Sequence, residues 1–416
     1  MPAHDPVGLA MWLCSPEGGS VVASASRVLA EHQGDLLAAG TAIRRAHPDL
    51  AQDMAAAALE QATRRILARE RYGMDAGRLL LTRDGLEQAT RPEVAAARAE
   101  LLARAGARTV VDLTAGLGFD AAAFRDAGLR VIAVERDPAT AALCGHNVPE
   151  AEVILGDATD PEILRAVLAG LAPEDVVFLD PARRTAHGPR ELGTARTRPE
   201  RDPERWSPPW SFVAGIGHPR VAAKTAPSFE PPEGWVARWT SLDRTVLECA
   251  CFSWPVLGAR RQAVVLDANG HRTLDATDAP LAIASDVGRW LLEPDPAITR
   301  AGATSALLVH QPDLTTVDPE SNWLTCDAVP ATGLSGLARA YRVITELTGS
   351  RRQQRDQLRG LGINAVAVKS RDVRMDPRQV RIDLGCREGT GTSVILTRRR
   401  GRTISVLAEP APVPRD

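Results

Sequence analysis

Apolar positions follow two rhythms along this chain. Through the first hundred residues they recur at helical spacing, over 20–37 and 50–71, without strand-like alternation. Pro48 and the glycine-bearing stretch 73–77 break these segments. From Val110 onward short continuous apolar runs take over, at 110–113, 131–134, 153–155, 175–179 and 221–224. Runs of that length suit strands buried on both faces, and helix-favouring segments at 120–126, 137–143 and 161–171 separate the first four. Strand and helix in alternation predict a parallel sheet wound with crossover helices. Runs at 235–242, 245–252 and 262–266 complete it as an antiparallel pair and its lead-in. Beyond Asp267 the pattern loosens. Asn269-Gly270 signals a hairpin, 291–296 breaks the chain, and a helix is expected over 297–309. A basic helix over 351–361 and strands at 364–369, 380–384, 393–397 and 403–407 end the reading.

The first strand, turn, helix and strand read TVVDLTAGLGFDAAAFRDAGLRVIAVERD between Thr109 and Asp137. Gly116 and Gly118 have no Cβ, so the backbone can adopt positive φ and approach a ligand closely. Glu135 ends the second strand about twenty residues on, where an acid can accept hydrogen bonds from both hydroxyls of a ribose. A dinucleotide fingerprint would place a third glycine near position 120 and leave the helix N-terminus open to a pyrophosphate. Asp120 stands there instead. It would repel a pyrophosphate and suits a ligand with a cationic amino-acid end. A second candidate lies at the end of the fourth strand, Asp180-Pro181-Ala182-Arg183-Arg184, because open α/β sheets place their chemistry at the carboxyl ends of strands. Two features keep a bland and a functional reading side by side. Pro92 suits the first turn of a helix running to Leu102 with Thr90 as N-cap, so 81–92 is either a capped connector or a ligand contact. The Arg/Pro-rich stretch 185–212 is either a cover over the substrate, with Trp206 and Trp210 as stacking groups, or an insertion those tryptophans anchor.

Composition sharpens the picture. A length of 416 residues allows two or three domains, and no apolar run is long enough to span a bilayer. The N-terminus lacks a basic segment followed by an apolar core, which argues against secretion. The six cysteines form no CxxC pair, so neither a disulfide framework nor a metal site is expected, and a cytoplasmic location fits. The net charge of −2 hides an asymmetry: residues 342–402 hold fifteen Lys/Arg against six Asp/Glu, a balance of +9, so 1–341 carry −10 and the last fourteen −1. A basic module on an acidic body suggests a polyanionic partner, although a solvated basic face has the same signature. Arg352, Arg355 and Arg359 would share one helix face, with Lys369, Arg371 and Arg374 as a second row.

The turn DLTAGLGFD resembles motif I of class I S-adenosylmethionine-dependent methyltransferases. Together, TRDGLEQATRP (82–92), DLTAGLGFDA (112–121), DPARR (180–184) and the C-terminal features resemble one uncharacterised bacterial family of such enzymes with a C-terminal THUMP-like domain. The resemblance runs from about Arg69 to Glu409. It implies a Rossmann-like methyltransferase sheet at 101–266, an N-terminal helical domain at 1–100, a ferredoxin-like module at 267–330 and a THUMP-like basic module at 331–409. The implied cofactor is S-adenosylmethionine. Asp112, Thr114, Ala115, Gly116, Gly118 and Asp120 would serve its methionine end, Glu135 and Arg136 its ribose, and Asp157 and Ala158 of a GDA motif its adenine. Gln88 and Thr90 would lie beside the pocket. Asp180, Pro181 and Arg183 would serve the acceptor. In amino-methylating relatives an aromatic and a second proline follow, whereas this chain has Ala182 and Arg183, so the stacking platform is missing. The implied activity is methylation of structured RNA, tRNA above all, with no membrane or metal involved. The alternatives are a protein or small-molecule methyltransferase with an acidic partner, and a non-catalytic RNA-binding protein of the same fold.

Overall fold

The structure is a computed structural model that describes residues 5–414 except 75, 184–199, 269, 278 and 285. The chain divides into two compact units, one of Met1–Thr225, Pro232–Trp235 and Ala250–Val256, the other of Ala226–Pro231, Val236–Cys249 and Leu257–Asp416.

The first unit opens with helices α1 (Pro6–Cys14), α2 (Pro16–Glu31), α3 (Leu36–Ala46) and α4 (Gln52–Tyr72). Asp5, Ser15 and Asp35 cap the first three by accepting first-turn N–H groups, and Pro6 and Pro16 occupy first-turn positions that need no donor. The single segment expected over 20–37 is therefore two helices. Gln33 and Gly34 both adopt positive φ (53° and 86°), which stops α2 while the apolar spacing continues past the break. Val22, Ala25, Leu29, Ile43, Ala58 and Ala62 form the core between these helices. Two more helices follow, α5 (Arg83–Gln88) and α6 (Pro92–Arg104). Pro92 is in the first turn of α6 as expected, but the N-cap position is held by Arg91, with no side-chain cap bond. Thr90 is buried and its hydroxyl is directed to Asp120 instead.

The sheet of this unit contains β1 (Thr109–Asp112), β2 (Arg130–Glu135), β3 (Glu152–Leu155), β4 (Val176–Leu179) and β5 (Val221–Thr225), joined by α7 (Phe119–Asp126), α8 (Pro138–Asn147), α9 (Pro161–Leu168) and α10 (Trp210–Ala214). The order is β3-β2-β1-β4-β5, and every neighbouring pair is parallel. All residues of β1, β4 and β5 are buried, which explains why their sequences read as unbroken apolar runs. The chain winds outward from β1 to β3, then returns to the other side of β1 with β4. The switch point therefore lies between β1 and β4, where open α/β sheets form their crevice.

The second unit contains β6 (Val236–Leu242), the residues 245–249 of β7 (Thr245–Phe252), β8 (Arg261–Asp267) and β9 (Gly270–Asp275). The two-residue turn after β6 is made by Asp243 and Arg244, both at positive φ, as a tight hairpin turn requires. Of the Asn269-Gly270 signal, Asn269 lies outside the described residues, and Gly270 pairs with Asp267 at the start of the antiparallel β8–β9 ladder. The unit continues with β10 (Trp290–Pro294), α11 (Pro296–Ala301), β11 (Thr315–Thr316), β12 (Leu324–Cys326), β13 (Ala338–Leu347), α12 (Arg351–Gly360), β14 (Ala365–Lys369), α13 (Pro377–Asp383), β15 (Arg387–Arg399) and β16 (Arg402–Ala411). Seven of these strands form one sheet in the order β11-β12-β10-β13-β16-β15-β14, so strands from 290–326 and from 338–411 share it.

Three expectations fail in this unit, each for a local reason. The break expected at 291–296 is strand β10, which tolerates Pro294 as its last residue, opposite Ala338. The helix expected over 297–309 is only α11, because Gly302 ends it at φ 71° and a 3₁₀ helix follows at Thr304–Val309. The strand expected at 380–384 is helix α13, started by Pro377 and capped by Asp376, with Val380 and Leu384 buried four residues apart.

The basic module also spends charge internally. Glu293 on β10 is buried, with Lys369 Nζ at 3.1 Å, Arg371 at 3.3 Å and Arg244 at 3.9 Å, and the Tyr341 hydroxyl donates to it at 3.2 Å. Lys369 and Arg371, expected in an outward basic row, are thus anchored to this carboxylate. Arg355 is also partly withdrawn: it packs against Gly385, and its buried Nε has no hydrogen-bond partner among the described residues. Arg352, Arg359 and Arg374 remain exposed.

Burial alone would raise the Glu293 pKa, but Lys369 and then Arg371 outweigh it and hold the carboxyl below the usual range. The stability this contributes is present above the ordinary glutamate pKa of about 4.3 and disappears as pH falls. Glu293→Gln should cost roughly 1–3 kcal/mol at neutral pH, less than a fully buried pair because Lys369 and Arg371 keep some solvent. Urea unfolding should show that deficit shrinking below about pH 4, and a constant deficit would mean that shape rather than charge is lost.

Candidate active site

In the first unit the strand order brings the carboxyl ends of five strands to one edge. Reading along it gives Asp157 just after β3, Glu135 at the end of β2, Asp112 at the end of β1, Asp180 just after β4, and Lys224 near the end of β5. Four acids expected at separate places in the sequence thus stand in one row, with Lys224 at its end.

The glycine turn after β1 holds the centre of the row. Gly116 and Gly118 have φ of 54° and 84°. A Cβ at Gly118 would stand 2.8 Å from Val148 and 3.0 Å from the Cys144 sulfur, so that glycine is required by packing on α8. A Cβ at Gly116 would meet nothing within 4 Å, so that glycine leaves the backbone accessible. Ala115 is buried beneath the turn. The segment 80–88 rests on the same turn. Gly85 abuts Leu117, and the Asn147 side-chain amide donates to the carbonyls of Leu80 and Leu117, both at 3.0 Å. Gln88 is exposed at the end of α5.

Each acid has its own supports. Glu135 accepts the Gly116 N–H through Oε2 and the Asp137 N–H through Oε1, both at 2.9 Å, which fixes the carboxylate plane and leaves lone pairs for further donors. Asp157 accepts the Thr159 N–H and hydroxyl at 2.8 and 2.7 Å, bonds that hold it below the usual carboxylate range. Ala158 beside it is buried, and exposed Arg136 reaches the Ser207 hydroxyl at 3.3 Å. Asp112 is 1% exposed and accepts the Thr114 N–H at 3.0 Å. Burial, then the charge of Asp120, pushes its carboxyl up to about 8. The Thr114 hydroxyl accepts the Asp180 N–H at 2.6 Å, tying the ends of β1 and β4 together.

Asp120 does not present a free charge to a ligand. Arg98 of α6 donates to Oδ1, the Thr90 hydroxyl donates to Oδ2 at 2.9 Å, and Lys224 Nζ lies 4.0 Å from Oδ2. Burial opposes ionisation, but Arg98 and then Lys224 outweigh it, so the carboxyl stays below its ordinary pKa. The cation expected from a ligand is here supplied by the chain. Lys224 also donates to Thr90 at 2.8 Å and to Asp180 Oδ2, so one buried ammonium joins Thr90, Asp120 and Asp180. Arg98 was absent from the sequence-based candidates. Its signal was a charge on the apolar face of α6, among Val94, Ala95, Ala99, Leu101 and Leu102, all buried.

Around the acceptor position, Pro181 is buried and Arg183 half-buried. Ala182 exchanges both backbone hydrogen bonds with Ser207, at 2.8 and 3.0 Å. Arg184 and residues 185–199 of the Arg/Pro-rich stretch lie outside the described residues. Trp206 and Trp210 are both buried, Trp210 against Trp235 at 5.0 Å, so they anchor the returning chain instead of presenting stacking faces. Among the described residues no group of three or more His, Cys, Asp or Glu could hold a metal, and no helix is long and apolar enough to cross a membrane.

By homology and fold the chain classes as a Rossmann-like S-adenosylmethionine-dependent methyltransferase. Residues 338–410 match the THUMP domain-like family model. The uncharacterised S-adenosylmethionine-dependent methyltransferases MT3122 and Rv3037c of Mycobacterium tuberculosis are each 29% identical over 330 residues, 77% of this chain and 84% of theirs. A crystal structure of a methyltransferase candidate from Porphyromonas gingivalis superposes with a TM-score of 0.66 at 16% identity, over 87% of this chain and 92% of that one, a likeness of fold. The chain is thus a distant homologue of uncharacterised bacterial S-adenosylmethionine-dependent methyltransferases, with a THUMP-like C-terminal module.

The raised Asp112 pKa has a measurable sign. An acid that holds its proton more tightly folded than unfolded costs stability as pH rises from about 4 towards 8. Asp112→Asn should therefore gain on the wild type with pH across that window, by at most about 1.4 kcal/mol per pH unit. Thermal unfolding from pH 5.5 to 8 tests this. Parallel curves for the two proteins would mean that Asp112 titrates normally.

Proposed function

We propose that the protein transfers a methyl group from S-adenosylmethionine to structured RNA, with tRNA the favoured class. The observation that carries the reading is the row of strand-end groups, which matches such a ligand piece by piece. Asp157 and Ala158 suit the adenine, and Glu135, with Arg136 at its side, suits the two ribose hydroxyls. Asp112, Thr114, Ala115, Gly116 and Gly118 suit the methionine end, where Gly116 leaves the backbone open. Asp120 takes a different part from that expected, because Arg98, Thr90 and Lys224 already surround it; it fixes the wall of this pocket. Bound there, the cofactor supplies an electrophilic methyl on a sulfonium. The chain's contribution is orientation, which holds the acceptor in line with that methyl. Asp180, with Pro181 and Arg183 beside it, is the acceptor end of the row.

The RNA part rests on the THUMP-like module and its +9 balance over 342–402. With no Phe, Trp or Tyr after Tyr341, the module suits phosphate contact more than base stacking. Arg352, Arg359, Arg374 and Arg378 are among its exposed candidates.

Two measurements test the halves separately. Glu135→Ala should weaken S-adenosylmethionine binding by about 1.5–3 kcal/mol in calorimetry, the worth of hydrogen bonds to a charged group. Unchanged affinity in a folded variant removes the ribose assignment, and tight binding of NAD by the wild type removes the methyltransferase reading. RNA affinity of the full chain should fall steeply with salt. Arg352→Glu with Arg359→Glu should flatten the log–log slope by about 0.7–0.9 for each phosphate that is no longer neutralised. Affinity indifferent to salt and to both substitutions would leave the basic face a solvated surface and favour an acidic partner.

A further inference from the structure

We propose that the methyl acceptor is a ribose hydroxyl, that Asp180 takes its proton, and that Lys224 is the residue that positions Asp180. The inference rests on the methyltransferase reading above and specifies its substrate. Three observations carry it.

First, Asp180 is a supported but accessible carboxylate. Its N–H is held by the Thr114 hydroxyl, its Oδ2 by Lys224, and about a quarter of its side chain is exposed. No described residue bonds Oδ1, which leaves that oxygen for an incoming proton donor. Second, the ammonium beneath it is itself fixed. Lys224 is 8% exposed and reaches Thr90, whose hydroxyl is oriented by donating to Asp120, which Arg98 holds in turn. A lysine so held cannot swing to the acceptor. It acts through Asp180, holding the carboxylate in one orientation towards the acceptor.

Third, the segment that follows Asp180 offers no aromatic face for a flat acceptor. A base amine must be presented with its ring held in a plane, and an aromatic face is the common means. No Phe, Trp or Tyr occurs between Asp180 and Arg205, and Trp206 and Trp210 beyond are buried. The Ala182 backbone is occupied by its exchange with Ser207. A hydroxyl on a tetrahedral carbon needs no such platform, and half-buried Arg183, three residues along, offers a cation to a flanking phosphate.

The reaction balances with these groups. As the hydroxyl oxygen bonds to the methyl carbon, the carbon–sulfur bond breaks and its electron pair goes to sulfur, neutralising the sulfonium. The oxygen gains positive character and its proton becomes acidic, so the Asp180 carboxylate can accept it at Oδ1 and pass it to water. Proton transfer to a positioned base of this kind contributes about 10²–10⁴-fold.

The full-length protein, supplied with methyl-labelled S-adenosylmethionine and unmodified tRNA transcripts, gives the decisive readout through alkaline hydrolysis. A 2′-O-methyl group blocks cleavage at its own phosphodiester, so the label should appear in alkali-resistant dinucleotides. Label released in mononucleotides with the methyl on the base overturns the hydroxyl assignment and leaves RNA methylation intact. Absence of label from RNA, with the cofactor bound, overturns both. Lys224→Met should lower turnover at least tenfold while leaving S-adenosylmethionine affinity within a few-fold, and Lys224→Arg should restore part of it. The loss should fall on kcat, with KM for the RNA within a few-fold, because the acceptor is still bound but the carboxylate is no longer held in line. A Lys224→Met protein with wild-type kcat, or one whose lost kcat Lys224→Arg does not restore in part, would make Lys224 a structural residue and overturn its positioning role. If the Met variant fails to fold, the split between kcat and KM in Lys224→Arg and the alkaline assay on wild type still decide the two parts.

Discussion

Much of the first unit depends on one buried carboxylate, that of Asp120. It lies in the first turn of α7 and is met by Arg98 from α6, by Thr90 from the segment before α6, and at longer range by Lys224 from β5. An isolated carboxylate in such a place would cost several kcal/mol and would take up a proton, so its partners are obligatory. Satisfying it draws elements from before, within and after the sheet to one point. The same demand fixes Lys224, and through Lys224 it fixes Asp180. The N-terminal segment 82–92 is thus more than a lead-in: its last buried residue, Thr90, is part of the polar core on which the strand-end row is mounted.

This dependence explains what the sequence disclosed and what it withheld. Strands β1, β2, β4 and β5 were legible because burial on both faces writes itself as continuous apolar runs. The glycine turn was legible because φ of 54° and 84° demands glycine at 116 and 118. The partners of Asp120 were not, since pairing across thirty or a hundred residues leaves no local pattern. Thr90 read equally well as an N-cap, and tertiary demand decided against it. In the second unit the misread elements share a cause. Val380 and Leu384 suit a strand or one helix face alike, and only the cap and proline before them, Asp376-Pro377, separate the two. The ten-residue strand β13 leaves no such signal because its burial follows no regular alternation: Ala340 and Tyr341 are buried side by side, and the register shifts between Val343 and Thr345.

Charge shows the same difference between counting and placement. The +9 of residues 342–402 is a property of the sequence, but Lys369 and Arg371 spend theirs on Glu293, while Arg381 and Arg399 face carboxylates of their own unit. What remains outward is a smaller set, on and around α12 and α13, that includes Arg352, Arg374 and Arg378. A basic stretch therefore overstates the surface it offers, because a sheet that buries a glutamate must take cations from somewhere. Here they come from the same stretch.

The active-site edge poses the inverse problem, with three carboxyls, Asp112, Asp120 and Asp180, against two cations, Arg98 and Lys224. Asp120 has Arg98 and a share of Lys224, and Asp180 has Lys224 directly. Asp112 has only a backbone N–H, in full burial, with two like charges acting on it. Desolvation penalises the charged form of both Asp112 and Asp120, so of these two the acid without its own cation is the one that keeps its proton. That is why Asp112 alone is driven up to about 8 while Asp120, equally hidden, is held down. The uncompensated carboxyl stands at the end of β1, beside the switch point. In a sheet of this winding, the switch-point crevice therefore carries a buried acid whose carboxyl is pushed up to about 8, beside two acids that are paired with cations.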